Sequence, residues 1–116
     1  MNKQVYPATI YNKDATLDLA IIRTSPSLAS SHLKFAPEVK TGQSVTALGF
    51  PLSDVLGTGV KVTTGIISSM SGYKGNDTNL QFSAAIQPGS SGGPLVDQFN
   101  RLVGVTTSAL IGEDIQ

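Results

Sequence analysis

The sequence predicts an all-β domain of short antiparallel strands, and three observations carry that prediction. Val60, Val62, Thr64 and Ile66 share one face of a run whose other face holds Lys61 and Thr63, and Leu80, Phe82, Ala84 and Ile86 alternate with Gln81, Ser83 and Ala85. Such a period of two belongs to a half-buried strand. The apolar runs are short, and clusters of turn-forming residues such as Asn12-Lys13-Asp14 and Gly72 to Asn79 separate them. The segment Gln4 to Tyr11 is rich in β-branched and aromatic residues, which suit a pleated surface.

In chain order, Gln4 to Tyr11 reads as a strand and Asn12 to Asp14 as its turn. Leu17 to Thr24, LDLAIIRT, follows as a strand apolar on both faces and therefore expected to be covered on both sides. Ser25 to Gly42 has two prolines, several serines and no clean period, so it reads as a linker. Ser44 to Phe50 is the next strand, then a loop PLSDVLGTG, then the strand whose inner face is expected to hold Val60, Val62, Thr64 and Ile66. After the polar turn comes the alternating run of residues 80–86. In PLVDQFNRLVGV, Leu95, Val96, Phe99, Leu102 and Val103 fit helical spacing and also fit strand, turn, strand with Asp97 to Arg101 as the turn.

Bulk properties narrow the function. The 8 basic and 8 acidic residues cancel and form no basic patch, which argues against a nucleic-acid partner. The longest apolar runs, such as Leu19 to Ile22, are too short to span a bilayer, and no signal peptide is visible. With no cysteine there is no disulfide framework and no thiolate nucleophile. One histidine and scattered carboxylates make a poor ligand set, so neither a metal nor another cofactor is expected.

The stretch QPGSSGGPLVD sets a serine among three glycines. Acyl transfer puts negative charge on the former carbonyl oxygen, and backbone N–H groups beside a nucleophile can stabilise it. Glycine before the serine permits a sharp bend, and glycines after it keep the chain from crowding a substrate. Gly89-x-Ser91-x-Gly93 also fits the nucleophile elbow of an α/β-hydrolase, which requires a helix next and a histidine later in the chain. No histidine follows Ser91, and Pro94 comes soon after it. A Gly-Ser loop without chemistry is the bland alternative.

GSSGGP resembles the G-x-S-G-G-P signature of chymotrypsin-like serine proteases. SAAIQPGSSGGPLVDQFNRLVGVTT, TLDLAIIRT, VTALGFP and VTTGIISS resemble, in order, segments of the HtrA (Deg) branch, from about Tyr6 to Ser108. The resemblance implies chymotrypsin-like antiparallel Greek-key β-barrels. Residues 1–24 would be the C-terminal hairpin of an incomplete first barrel, residues 25–42 the inter-barrel linker, and residues 43–116 the second barrel, its last strand expected to be missing. It further implies Ser91 as nucleophile, the N–H groups of Gly89 and Ser91 as oxyanion hole, and Asp18 as the acid that orients a histidine. An Asp between Leu17 and Leu19 on an apolar strand is also costly to bury unless paired, a reason for function independent of the resemblance. Ala85, Ile86 and the segment around Thr107 would form a substrate pocket without an acid, for small or medium aliphatic side chains of a peptide or unfolded protein, with the substrate strand pairing near Thr107.

In that family the histidine precedes the acid, and here none precedes Asp18. His32 follows it inside the linker, an order known in subtilisin-like enzymes, whose α/β fold this strand pattern contradicts. The expectation is therefore a piece of a serine endopeptidase domain that lacks its base, is inactive alone and associates through open strand edges. A non-catalytic peptide-binding module that lost its histidine is the alternative. The resemblance allows a periplasmic or other extracytoplasmic home.

Overall fold

The computed structural model describes residues 5–24, 31–50, 59–71, 79–86 and 90–107. All regular structure among them is β, in the strands β1 (Ala8–Asp14), β2 (Leu19–Thr24), β3 (Ser44–Gly49), β4 (Lys61–Ser69), β5 (Gln81–Phe82), β6 (Pro94–Val96) and β7 (Leu102–Val105). The chain divides into two compact units, Met1–His32 and Leu33–Gln116.

The first unit is the antiparallel ribbon β1–β2, in register Ala8↔Thr24 to Asp14↔Leu19 with a bulge between Ile10 and Asn12. The turn lies later than the sequence predicts. Asn12 to Asp14 continue the strand, and the Asp14 carboxylate opens the turn by accepting the N–H groups of Thr16 (2.9 Å) and Leu17 (3.1 Å). This is the Asx geometry that aspartate favours where a strand must reverse. The expected two-sided cover of Leu17 to Thr24 is also absent. Ile21 and Ile22 are 59% and 61% exposed and so lie on opposite faces that are both open. A two-stranded ribbon has no second layer of its own, and alone is marginal in water.

The second unit is a five-stranded antiparallel sheet ordered β5-β4-β3-β6-β7. Its core joins Val45 and Ala47 of β3, Ile67 of β4, Leu95 of β6 and Ala84, which follows β5, with Leu80, Phe82, Ile86 and Val103 packed against them. Residues 34–36 of the expected linker run parallel to β7. Leu102 N–H donates to Lys34 O (2.7 Å), and Ala36 N–H to Leu102 O (2.8 Å).

The inner face of β4 is the opposite of the one predicted. Val62 and Ile66 are exposed, whereas Thr63 and Gly65 are half-buried and Ile67 is fully buried. Register explains the reversal, because Val45 pairs with Gly65 and Ala47 with Thr63, and paired residues share a face. Glycine and threonine on the inner face hid it from an apolar count. Gly65 must lack a side chain, because a Cβ there would overlap the Ala84 amide nitrogen and stand 2.6 Å from Ser83 Oγ. The run 80–86 does turn Leu80, Phe82, Ala84 and Ile86 toward the core, as its alternation implies.

Residues 94–105 form strand, turn, strand, not a helix, which removes the elbow of an α/β-hydrolase. Asp97 builds the turn. It is only 3% exposed, accepts the amides of Phe99 and Arg101 (both 2.9 Å) and binds the Arg101 Nε (2.8 Å). Asn100 takes the left-handed φ of 61° that closes the bend, a conformation asparagine tolerates. Burial raises the Asp97 pKa, but the two amides and the Arg101 guanidinium together outweigh it and hold the carboxyl below its ordinary value.

Two outcomes follow from this packing. Ile67→Ala should cost about 2–5 kcal/mol in urea unfolding, whereas Ile66→Ala should cost under about 1 kcal/mol; the reverse order would restore the face read from the sequence. Asp97→Asn should lower the melting temperature at pH 7. Because the folded-state pKa is depressed, the carboxylate's contribution is complete above the ordinary carboxylate range. The gap between the two proteins should therefore close as pH falls through the depressed value.

Candidate active site

Ser90 to Gly93 form one tight turn. Gly93 N–H reaches back to Ser90 O (3.3 Å), and Gly92 has φ 94°. Positive φ at the third position is the requirement of a type II turn, and glycine meets it without steric cost. The residue at the second, projecting position is Ser91, which is exposed.

The amides of this turn have different fates. Gly92 N–H donates to Thr106 O at 2.7 Å, and Gly93 N–H is spent inside the turn. Among the described residues nothing accepts the Ser91 N–H, and that amide lies in the same residue as an exposed hydroxyl. Thr106, itself 3% exposed, returns its N–H to Gly93 O (2.9 Å), and its hydroxyl lies 3.2 Å from Ser90 O and 3.3 Å from Gly93 O.

The turn is seated on β3 by the absence of side chains. A Cβ on Gly93 would overlap the Leu48 carbonyl oxygen, and one on Gly49 would stand 2.9 Å from both Cβ and Oγ of Ser90. Upstream, residues 83–85 are tied to β4 by side chains, beside one further backbone bond from Ser83 N–H to Ile66 O (3.0 Å). Thr63 Oγ1 donates to Ala85 O (2.7 Å), and Ser83 Oγ accepts the Ile66 N–H (2.9 Å). Between these anchors lies a shallow depression of about 120 Å³ lined by Ala47, Leu48, Gly49, Lys61, Val62, Thr63, Ala85, Ile86 and Ser90. Ala85 and Ile86 thus meet Ser90 in one hollow, which no acidic side chain lines among the described residues, and Thr107, exposed just past β7, does not line it.

Asp18 belongs to the first unit and is not on the strand. It ends the turn before β2, exposed, with φ 58°. The burial argument made for it from its leucine neighbours therefore lapses, and its candidacy stands on the family resemblance and on a left-handed backbone of the kind found at functional sites. His32, in the same unit, is exposed. Gly89 lies outside the described residues. Thr106, Thr63 and Ser83 were not singled out from the sequence. The available signal was a polar residue closing the apolar strand LVGV, which becomes informative once its burial is known.

An antiparallel sheet presenting a serine on a glycine turn is the architecture of a chymotrypsin-like β-barrel, and the comparisons agree. The family described as trypsin-like peptidase domain matches residues 1–105. The chain belongs to that family, in its HtrA branch. Serine protease PepD of Mycobacterium tuberculosis is 37% identical over 121 residues, covering 93% of this chain and 25% of PepD. Serine protease HTRA2, mitochondrial, of Drosophila ananassae is 39% identical over 108 residues, covering 90% of this chain and 25% of its own length. Uncharacterized protein y4bJ of Sinorhizobium fredii is 43% identical over 105 residues, 90% of this chain and 16% of y4bJ. The chain thus spans about a quarter or less of these relatives. Among solved structures, an inactive serine-to-alanine mutant of Rv3671c from M. tuberculosis aligns with TM-score 0.68 and 31% identity, over 91% of this chain and 55% of that one.

The seating on β3 has a direct consequence. Gly93→Ala should cost about 1–3 kcal/mol of stability through overpacking, measured by urea unfolding. Gly59→Ala, where a Cβ meets nothing within 4 Å, is the control and should change little.

Proposed function

We propose that the chain is the nucleophile-bearing part of a serine endopeptidase. Ser91 Oγ attacks the scissile carbonyl carbon while a base takes its proton. The Ser91 and Gly89 amides bind the resulting oxyanion, the proton passes to the leaving amine, and water hydrolyses the acyl-enzyme. The observation that carries this reading is the Ser91 amide, which has no acceptor among the described residues in a turn whose next two amides are both used. Asp18 is the orienting acid in this reading, and residues 1–24, 25–42 and 43–116 are hairpin, linker and second barrel.

The base is a histidine encoded outside these 116 residues. Two facts support that: the chain's single histidine stands at position 32, after Asp18, and the protease relatives are about four times longer. The substrate is a peptide or an unfolded protein, cleaved after a small or medium aliphatic residue. The hollow beside Ala85 and Ile86, which no acidic side chain lines among the described residues, supports that preference, since even an enclosed cavity of about 150 Å³ holds only a benzene-sized group. The open apolar faces of the β1–β2 ribbon support self-association of the isolated chain.

A fluorophosphonate probe should label Ser91 in the full-length gene product, and Ser91→Ala should abolish labelling; labelling of Ser90 instead would refute the assignment. The 116-residue chain alone should turn over peptides about a millionfold more slowly than the full-length enzyme, as expected for loss of a triad base. The upstream coding sequence should supply a histidine about 30 residues before Asp18, allowing for strands and turns of ordinary length. Its absence would favour a peptide-binding module.

A further inference from the structure

We infer that Thr106 is a positioning residue for the amide of Ser91, acting through the carbonyl of Ser90; the inference rests on Ser91 being the nucleophile. The argument starts from proton supply. A threonine hydroxyl has one proton, and two carbonyl oxygens lie within its reach. Gly93 O already receives the Thr106 N–H at 2.9 Å, whereas among the described residues the backbone donor to Ser90 O is Gly93 N–H, at a long 3.3 Å. The hydroxyl proton therefore goes to Ser90 O, the nearer and less satisfied acceptor, at 3.2 Å. Thr106 is buried, so its hydroxyl has no water to turn to, and leaving it unpaired would be costly.

The Ser90 carbonyl matters because of its peptide partner. The C=O of Ser90 and the N–H of Ser91 lie in one planar trans unit and point in opposite directions. Pinning the oxygen toward Thr106 at the end of β7 aims the Ser91 N–H the other way, out of the turn. Without the hydroxyl only the long turn bond resists rotation of that plane, and a rotated plane moves the donor away from a developing oxyanion. The Thr106 carbonyl fixes the next amide, Gly92 N–H, at 2.7 Å. One buried residue thus sets two successive peptide planes, keeping one amide for the fold and freeing the other for substrate.

The test is kinetic and uses the full-length gene product with a chromogenic peptide amide ending in alanine or valine. Thr106→Val removes the hydroxyl at nearly constant volume, and Thr106→Ser keeps it. Thr106→Val should lower kcat about tenfold or more, short of the 10²–10³ for outright loss of an oxyanion donor, with KM within about twofold. Thr106→Ser should restore kcat to within about threefold. A Thr106→Val enzyme with unchanged kcat, or with only KM raised, overturns the proposal. Should Thr106→Val fail to fold, amide hydrogen exchange in the unaltered protein decides: Ser91 N–H should exchange fast and Gly92 N–H slowly, and a protected Ser91 amide overturns it. Fluorophosphonate labelling separates the two failures. An unaltered enzyme that is not labelled at Ser91 removes the nucleophile reading and this one together; normal labelling of both the unaltered enzyme and Thr106→Val removes this one alone.

Discussion

The backbone contact between β3 and the serine turn is the constraint on which the second unit's site depends. Gly93 lies where any side chain would strike the Leu48 carbonyl, and Gly49 lies where any side chain would strike Ser90. Two missing side chains let a tight turn rest directly on the central strand of the sheet. β3 is itself held on both edges, by β4 and by β6. A loop that stands off from its scaffold is free to move; this one is seated against the strand at Ser90 and Gly93. A group placed for chemistry needs that rigidity, since a small misplacement is expensive in rate.

The same region shows how the chain satisfies its polar backbone where the ladder stops. β5 has two residues and β6 three, so strand pairing does little to hold residues 83–86 and 90–93. Thr63, Ser83 and Thr106 take over, each bonding a side-chain oxygen to a backbone group of another segment. Asp97 does the equivalent at the far end of β6, where it organises two amides and a guanidinium around one buried carboxylate. Short polar side chains are therefore the structural members of this site, while the apolar core beneath it is built, among the described residues, on Val45, Ala47, Ile67, Ala84 and Leu95 with their partly buried neighbours.

The first unit contrasts with this. Its ribbon carries isoleucines on both faces, Ile21 and Ile22, with neither face buried, and Arg23 lies 4.3 Å from the centre of the Tyr11 ring. Asp18 sits at its tip on a left-handed backbone with an exposed carboxylate. An acid in that setting orients a partner only if the partner is brought to it.

Much of the plan was legible in the residues. Period-two alternation placed Leu80, Phe82, Ala84 and Ile86 on the core, the D-Q-F-N-R cluster marked the β6–β7 turn, and GSSGGP in the company of LDLAII and ALGFP pointed to the family. These are local signals, carried by side-chain period and turn chemistry. The inward face of β4, the start of β2 after Asp18 and the roles of Thr63, Ser83 and Thr106 were not legible. Each depends on which residue of a distant segment lies opposite, and a glycine or threonine facing the core leaves no apolar trace in its own strand. The sequence by itself determined the β character and the serine turn, because backbone preference is a property of a few neighbouring residues. Which face is buried and which turn amides the fold uses came with the folded chain alone, because both follow from how strands far apart in the chain lie opposite one another.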